Sequence, residues 1–161
     1  MSKKTNAARY LDTLKIKYEL VSYEVDEDDL SAVHVADTIG ADPAEIFKTL
    51  VVTDERGVPI VACIPADAEL DLKALAVAAG RKRCDMLPVK ELLAITGYIR
   101  GGCSPLGMKK RFATFIDQSI ENVQKVYVSA GQRGLQLLLP PQDLVRASNA
   151  QIARLTTTNE H

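Results

Sequence analysis

Two runs of β-branched and apolar residues, IFKTLVVTD (46–54) and VPIVACIP (58–65), stand on either side of Glu55, Arg56 and Gly57. Extended runs bounded by turn residues predict a β-hairpin, and this is the clearest one in the chain. It constrains the fold because further β-rich segments and short amphipathic stretches alternate around it. FATFID (112–117), KVYVSA (125–130) and LQLLLP (135–140) predict strands, the last two joined through Gly131, Gln132, Arg133 and Gly134. Shorter strands are expected over 19–25 and 83–86. Interspersed strands and helices with hairpin connections imply a mixed, largely antiparallel α+β domain. With 161 residues, 47% of them hydrophobic, the chain can bury one core of ordinary size and not two.

Helices are read from spacing and caps. Ala8, Leu11, Leu14 and Tyr18 recur at three- and four-residue steps and predict a helix over 5–17. The acidic segment DEDDL (26–30) reads as a solvated turn. Ser31 then offers an N-cap to a helix with inner face Val35, Ala36 and Ile39, stopped by Gly40. Asp42 and Pro43 start a very short helix. Residues 71–79, closed by Gly80, and 88–96, closed by Gly97, read as two more, and Pro140-Pro141 opens a last one to about residue 147. The segment 155–161 has no apolar spacing and is expected to fray, which leaves 1–154 as the domain.

Charge and cysteine content exclude several function classes. Basic and acidic residues number 20 and 21, so the chain does not coat nucleic acid non-specifically, and a polyanionic partner has to meet a local patch. With no Trp and 5% aromatic residues, a surface that stacks base after base is not expected. Cys63, Cys84 and Cys103 are odd in number and match no metal-ligand spacing, which fits a reducing cytosol without a zinc site. No apolar run approaches the ~20 residues that span a bilayer, and no signal peptide is evident. A soluble, cytoplasmic protein is expected.

Three features can carry chemistry. On strand 46–54, Lys48 shares a face with Ile46, Leu50 and Val52. An ammonium there must reach water, find an anion or lose its proton. Two readings stay open: a lysine that snorkels to solvent, or a cation aimed into a cleft. The loop Gly101, Gly102, Cys103, Ser104, Pro105 can present main-chain amides to an anion or a carbonyl oxygen, or can simply turn. It lacks the GK[ST] ending of a phosphate loop and is not GxGxxG. Arg100, Lys109, Lys110 and Arg111 set four cations around it, either a solvated face or a seat for a nucleic-acid backbone. A nucleophilic Cys103 needs a base, and neither His34 nor His161 is an obvious partner.

FKTLVV (47–52), TGYIRGGCSPLGMKKR (96–111), VYVSAGQRGLQL (126–137) and PQDL (141–144) together resemble the YbaK/ProX family of aminoacyl-tRNA deacylases, in particular its Cys-tRNA(Pro) deacylase branch. The resemblance spans most of the chain. It implies a single mixed α/β domain with a curved central sheet, mostly antiparallel and flanked by short helices. It also implies a pocket for the 3′ end of a mischarged tRNA, no cofactor and no metal.

Carried onto this sequence, the resemblance implies that Lys48 engages the substrate near the terminal nucleotide and that the Gly101–Gly102 amides orient the aminoacyl carbonyl. Tyr23, Thr49, Cys103, Ser104, Pro105, Ser129, Gly131, Arg133 and Gln136 would line the substrate site, and Arg100, Lys109, Lys110 and Arg111 would draw in the acceptor stem. Gln136 stands where some members carry an acid. In cysteine-removing members the substrate's own thiol attacks its carbonyl, which would explain a site without a nucleophile–base pair. The expected activity is trans-editing of Cys-tRNA(Pro), by hydrolysis or by a lyase-type cyclisation. The alternatives are a deacylase for alanyl, seryl or threonyl esters, and a non-catalytic module binding tRNA or a nucleotide. Prolyl-tRNA synthetase is the candidate protein partner. A monomer or a homodimer is expected, with LQLLL as an exposed edge for the latter.

Overall fold

Thr5 caps the first helix, its hydroxyl accepting from the Ala8 amide at the start of α1 (Asn6–Thr13). The structure is a computed structural model and describes residues 4–157. After α1 come β1 (Glu19–Ser22), α2 (Ala32–Ile39), β2 (Phe47–Asp54), β3 (Pro59–Pro65), α3 (Leu72–Ala79), β4 (Cys84–Met86) and α4 (Val89–Thr96). Then follow β5 (Ala113–Asp117), β6 (Val126–Gln132), β7 (Leu135–Leu139), α5 (Pro141–Ser148) and β8 (Gln151–Ala153), with 3-10 turns at Pro43–Glu45 and Gln118–Asn122. The predicted first helix is cut short because Lys15 takes a φ of 60°, a left-handed conformation that ends a helix. Ser31 caps α2, and Gly40, Gly80 and Gly97 close α2, α3 and α4 in the left-handed region, as their sequences predict; Asp71, expected as the first residue of α3, is its N-cap instead.

The strands form two sheets, β1-β7-β6 and β4-β2-β3-β5-β8. The fold is the mixed, mostly antiparallel α+β domain expected: among the described strands, β3–β5 and β5–β8 pair in parallel and the other strand pairs are antiparallel. The central sheet is nevertheless built in two parts that meet at one parallel bridge, Ile46 to Tyr127. Asp54 fixes the turn of the β2–β3 hairpin. Its carboxylate accepts from the Arg56 and Val58 amides at 2.8 and 2.9 Å and from Arg81 Nε at 2.8 Å.

Two expectations are corrected. LQLLL is not an edge, because β7 lies between β1 and β6 with Gln136, Leu137 and Leu139 buried. Nor does the chain fray from residue 155: Leu155 is fully buried, its amide donates to Asp117 at 2.8 Å, and its carbonyl accepts from the Asp71 amide at 2.7 Å. A short parallel strand, β8, leads into this segment and was not legible because three residues carry too little pattern. Residues 158–161, including His161, lie outside the described residues. Among the described residues no helix is long and apolar enough to cross a membrane.

The split between the sheets exposes an edge of β2. The Ala66 amide bonds the Ile46 carbonyl and the Asp54 amide bonds the Val58 carbonyl, at 2.8 and 3.0 Å. Antiparallel alternation then turns the even-numbered residues of β2 toward β3 and the odd ones, Phe47, Thr49 and Val51, outward. Leu87 takes the Val51 carbonyl at 3.0 Å and Tyr127 meets Ile46 at the other end. Between those two contacts no strand among the described residues pairs with this edge of β2.

Candidate active site

A cavity of about 470 Å³ opens at that gap. Its apolar side is Leu30, Val35, Ile46, Leu50, Met86, Leu87, Val89 and Leu92; its polar side is Ser31, Lys48, Thr49, Arg100, Gly101, Cys103, Ser129 and Gln136. No carboxylate is among the lining residues. Concave, mainly apolar hollows with a few convergent polar groups are the usual form of a small-ligand site.

Lys48 stands in the cavity wall. Half-buried, it lines the cavity, and its ammonium donates to the Ala66 carbonyl at 3.0 Å. Burial lowers its pKa, while the charges of Asp67 and Glu69 pull the other way. Thr49 reaches the cavity from the next position, its hydroxyl 3.9 Å from the buried Cys63 sulfur.

The loop divides its labour. Gly101, with φ +84°, lines the cavity, and neither its amide nor that of Cys103 has an acceptor among the described residues. Gly102 does not offer an amide to a ligand, because that N–H closes the turn on the Ile99 carbonyl at 2.9 Å. Its contribution is close approach: a Cβ there would meet the backbone of Gln132 and Arg133 at 2.9–3.0 Å. Ser104 is fully buried, its hydroxyl accepting from the Leu106 amide, and Pro105 lines a different hollow. Tyr98 keys the loop to the β6–β7 hairpin. Its hydroxyl donates to the Leu106 carbonyl at 2.7 Å, and its ring leaves room for no side chain at Gly131. Cys103 is 8% exposed, and burial pushes its thiol up to about 12 against the pull of the Thr96 hydroxyl.

Ser129 on β6 and Gln136 on β7 are cross-strand partners facing the cavity. The Ser129 hydroxyl accepts from the Gly131 amide at 3.1 Å. Gln136 is 5% exposed, and its side-chain oxygen has no hydrogen-bond partner. A buried acceptor left open costs roughly 1–3 kcal/mol.

Several expected site residues lie elsewhere. Tyr23 packs with Val35, Ala36 and Tyr127 and does not line the cavity. Arg133 is a clasp: Nε donates to the Arg100 carbonyl at 2.9 Å and Nη1 pairs with Glu27 at 2.8 Å. Gly131 forms part of a bulge in β6. Lys110 and Arg111 face the same separate hollow as Pro105, and Lys109 lies across Gly97. Of the four cations, only Arg100 reaches the cavity. The sequence reading missed the apolar wall from Leu30, Met86, Val89 and Leu92. The signal was available in Leu30, an apolar residue ending an acidic run, and in exposed Val89 at the helix start.

The sequence profile described as the aminoacyl-tRNA editing domain matches residues 26–147. EbsC of Enterococcus faecalis, which bears the provisional name Cys-tRNA(Pro)/Cys-tRNA(Cys) deacylase, is 46% identical over 154 residues, covering 96% of this chain and 94% of its own. YwhH of Bacillus subtilis, an uncharacterized protein, is 30% identical over 117 residues, 73% of this chain and 74% of its own. Among solved structures, hypothetical protein APE2540 superposes with a TM-score of 0.86 at 24% identity, covering 94% of this chain and 99% of that one. A protein provisionally described as a trans-editing enzyme for prolyl tRNA synthetase superposes with a TM-score of 0.80 at 21% identity, covering 98% and 100%. At those identities the structural likeness is one of fold.

Proposed function

This chain belongs to the aminoacyl-tRNA editing domain family, and from that premise we propose that it is a YbaK-type trans-editing deacylase whose foremost substrate is Cys-tRNA(Pro). A synthetase separates amino acids differing by one small group by only about 1–3 kcal/mol, so a second site must clear the errors. The ester it clears is already activated. What the protein supplies is position and charge stabilisation.

The observation that carries this reading is the meeting of Gly101, Lys48, Ser129 and Gln136 in one cavity that holds no activated nucleophile. The Gly101 and Cys103 amides suit the ester carbonyl oxygen. Lys48 and Arg100 suit the sugar-phosphate end, and Gln136 accepts from the substrate's amino group. With a cysteinyl ester, the substrate thiol attacks the carbonyl carbon: the new C–S bond closes a cyclic thioester, the C–O bond breaks, and the 3′ hydroxyl departs with the thiol's proton. The relative's name, a Cys-tRNA(Pro)/Cys-tRNA(Cys) deacylase, agrees with this substrate class.

The test is a deacylation panel of cysteinyl, alanyl, seryl and threonyl esters of tRNA, with wild type and Lys48→Ala. Preferential loss of the cysteinyl ester, reduced about 10²-fold in the variant, is expected. Equal rates on every ester overturn the cysteine assignment, and an ester lifetime unchanged by either protein overturns the enzyme.

A further inference from the structure

The cations after the glycine loop face away from the cavity, and none has a carboxylate partner among the described residues, whereas Arg81, Arg133 and Arg154 are each paired. Lys110 and Arg111 line a second hollow, about 360 Å³, with Tyr10, Pro105, Phe112 and Asn149. The Arg111 guanidinium lies 6.0 Å from the Tyr10 ring centroid and donates to its hydroxyl at 3.2 Å. This holds a planar cation beside a ring, a pairing that favours flat, electron-rich ligands. The far wall is the end of α5, whose last carbonyls would repel an anion. Part of that end is neutralised: the Asn149 and Ala150 amides take the Arg146 and Val145 oxygens, and the Ser148 hydroxyl takes that of Leu144. The loop is also fixed in place, because a Cβ on Gly107 would stand 2.8 Å from the Asn6 backbone.

We propose that this hollow seats a phosphate-bearing nucleotide, its phosphate on Lys110 and Arg111 and its base against Tyr10 and Phe112. Unpaired cations supply charge-assisted bonds to phosphate oxygens, and the aromatic and prolyl walls supply the apolar contact a base needs. The cavity residue Cys103 is two positions from Pro105, so the Cα atoms of these two lining residues stand at most about 7 Å apart. The seat therefore suits a nucleotide of the same RNA strand whose 3′ end enters the cavity. For that source alone it rests on the editing reading.

The experiment is binding of an uncharged acceptor-stem RNA hairpin ending in CCA, followed by fluorescence anisotropy over a salt series. It compares wild type, the double variant Lys110→Gln/Arg111→Gln, and Tyr10→Leu, each checked for folding by circular dichroism. The double variant is expected to bind at least tenfold more weakly, with the slope of log K against log salt smaller by about 1–2. Affinity within twofold of wild type and an unchanged slope overturn the proposal. Competition by AMP in wild type shows that a free nucleotide also fits, and its absence alongside the variant's loss assigns the seat to a strand-borne nucleotide. Should no aminoacyl ester be hydrolysed while the hairpin result holds, the seat stands and the editing reading falls. Should esters be hydrolysed with hairpin binding indifferent to the variant, the seat alone falls.

Discussion

The Cα of Gln132 lies where only glycine leaves room at position 102: a Cβ on Gly102 would stand 2.9 Å from it and 3.0 Å from the Arg133 nitrogen. Both obstacles are backbone, so either the loop or the hairpin tip has to move. Gly102→Ala is expected to cost about 1–3 kcal/mol as an overpacking change, which lowers Tm by ~2–4 °C per kcal/mol in a chain of this size. Because the same shift carries Gly101 away from Ser129 and Gln136, deacylation is expected to fall by more than tenfold. Gly40→Ala is the control. It meets nothing within 4 Å and carries only the penalty of its φ of +72°, so it should lose stability and keep activity. Equal activities in the two variants would refute the role given to the close approach.

Gln136 separates stability from function. Its buried oxygen has no partner, and exchanging an unsatisfied acceptor for an apolar group of similar shape is neutral or stabilising. Gln136→Leu should therefore match or exceed wild type in Tm, while kcat/KM on the preferred ester drops about tenfold, the worth of one lost hydrogen bond. Parallel losses in melting and turnover would show that Gln136 serves the fold instead.

Cys103 sits in the cavity wall without being poised to react. A thiol pushed up to about 12 by burial is almost entirely protonated near neutrality, and the thiolate is the nucleophile. Cys103→Ser should hydrolyse the cysteinyl ester within a fewfold of wild type, and iodoacetamide at pH 7 should not inactivate the native enzyme. Abolished turnover in a folded Cys103→Ser protein would restore the cysteine as a catalytic residue.

Much of the fold was legible because caps and turns are local. Ser31, Gly40, Gly80 and Gly97 act within a few residues of themselves, and each stands where its neighbours predict. The hairpin was legible for the same reason. What lay beyond reading was long-range: that β7 is covered on both sides, that Leu155 returns to Asp117, and that β2 is left bare between Tyr127 and Leu87. The cavity residues divide along the same line. Lys48 was conspicuous as a charge on an apolar strand face, and Gly101 as a turn. Arg133 was expected in the substrate site, yet it is spent on Glu27 and Arg100.

Lys48 gives the enzyme a pH limb whose sign follows from its surroundings. Burial lowers its folded-state pKa below the ordinary 10.5, with Asp67 and Glu69 offsetting part of the effect. The stability linked to this group is present above the unfolded value and is lost as pH falls through the folded one. At pH 7, then, the protonated side chain costs the fold something. Lys48→Met, apolar and of similar reach, should melt at or above the wild-type temperature at pH 7, with the difference shrinking toward pH 10. If the ammonium acts on the ester as proposed, the acceleration over spontaneous ester hydrolysis should decline as pH rises through a value below 10.5. A guanidinium does not deprotonate in that range, so whatever activity Lys48→Arg retains should show no such decline. A limb that persists in Lys48→Arg, or a Lys48→Met protein that melts far below wild type, would show that the lysine acts through the fold and not on the ester.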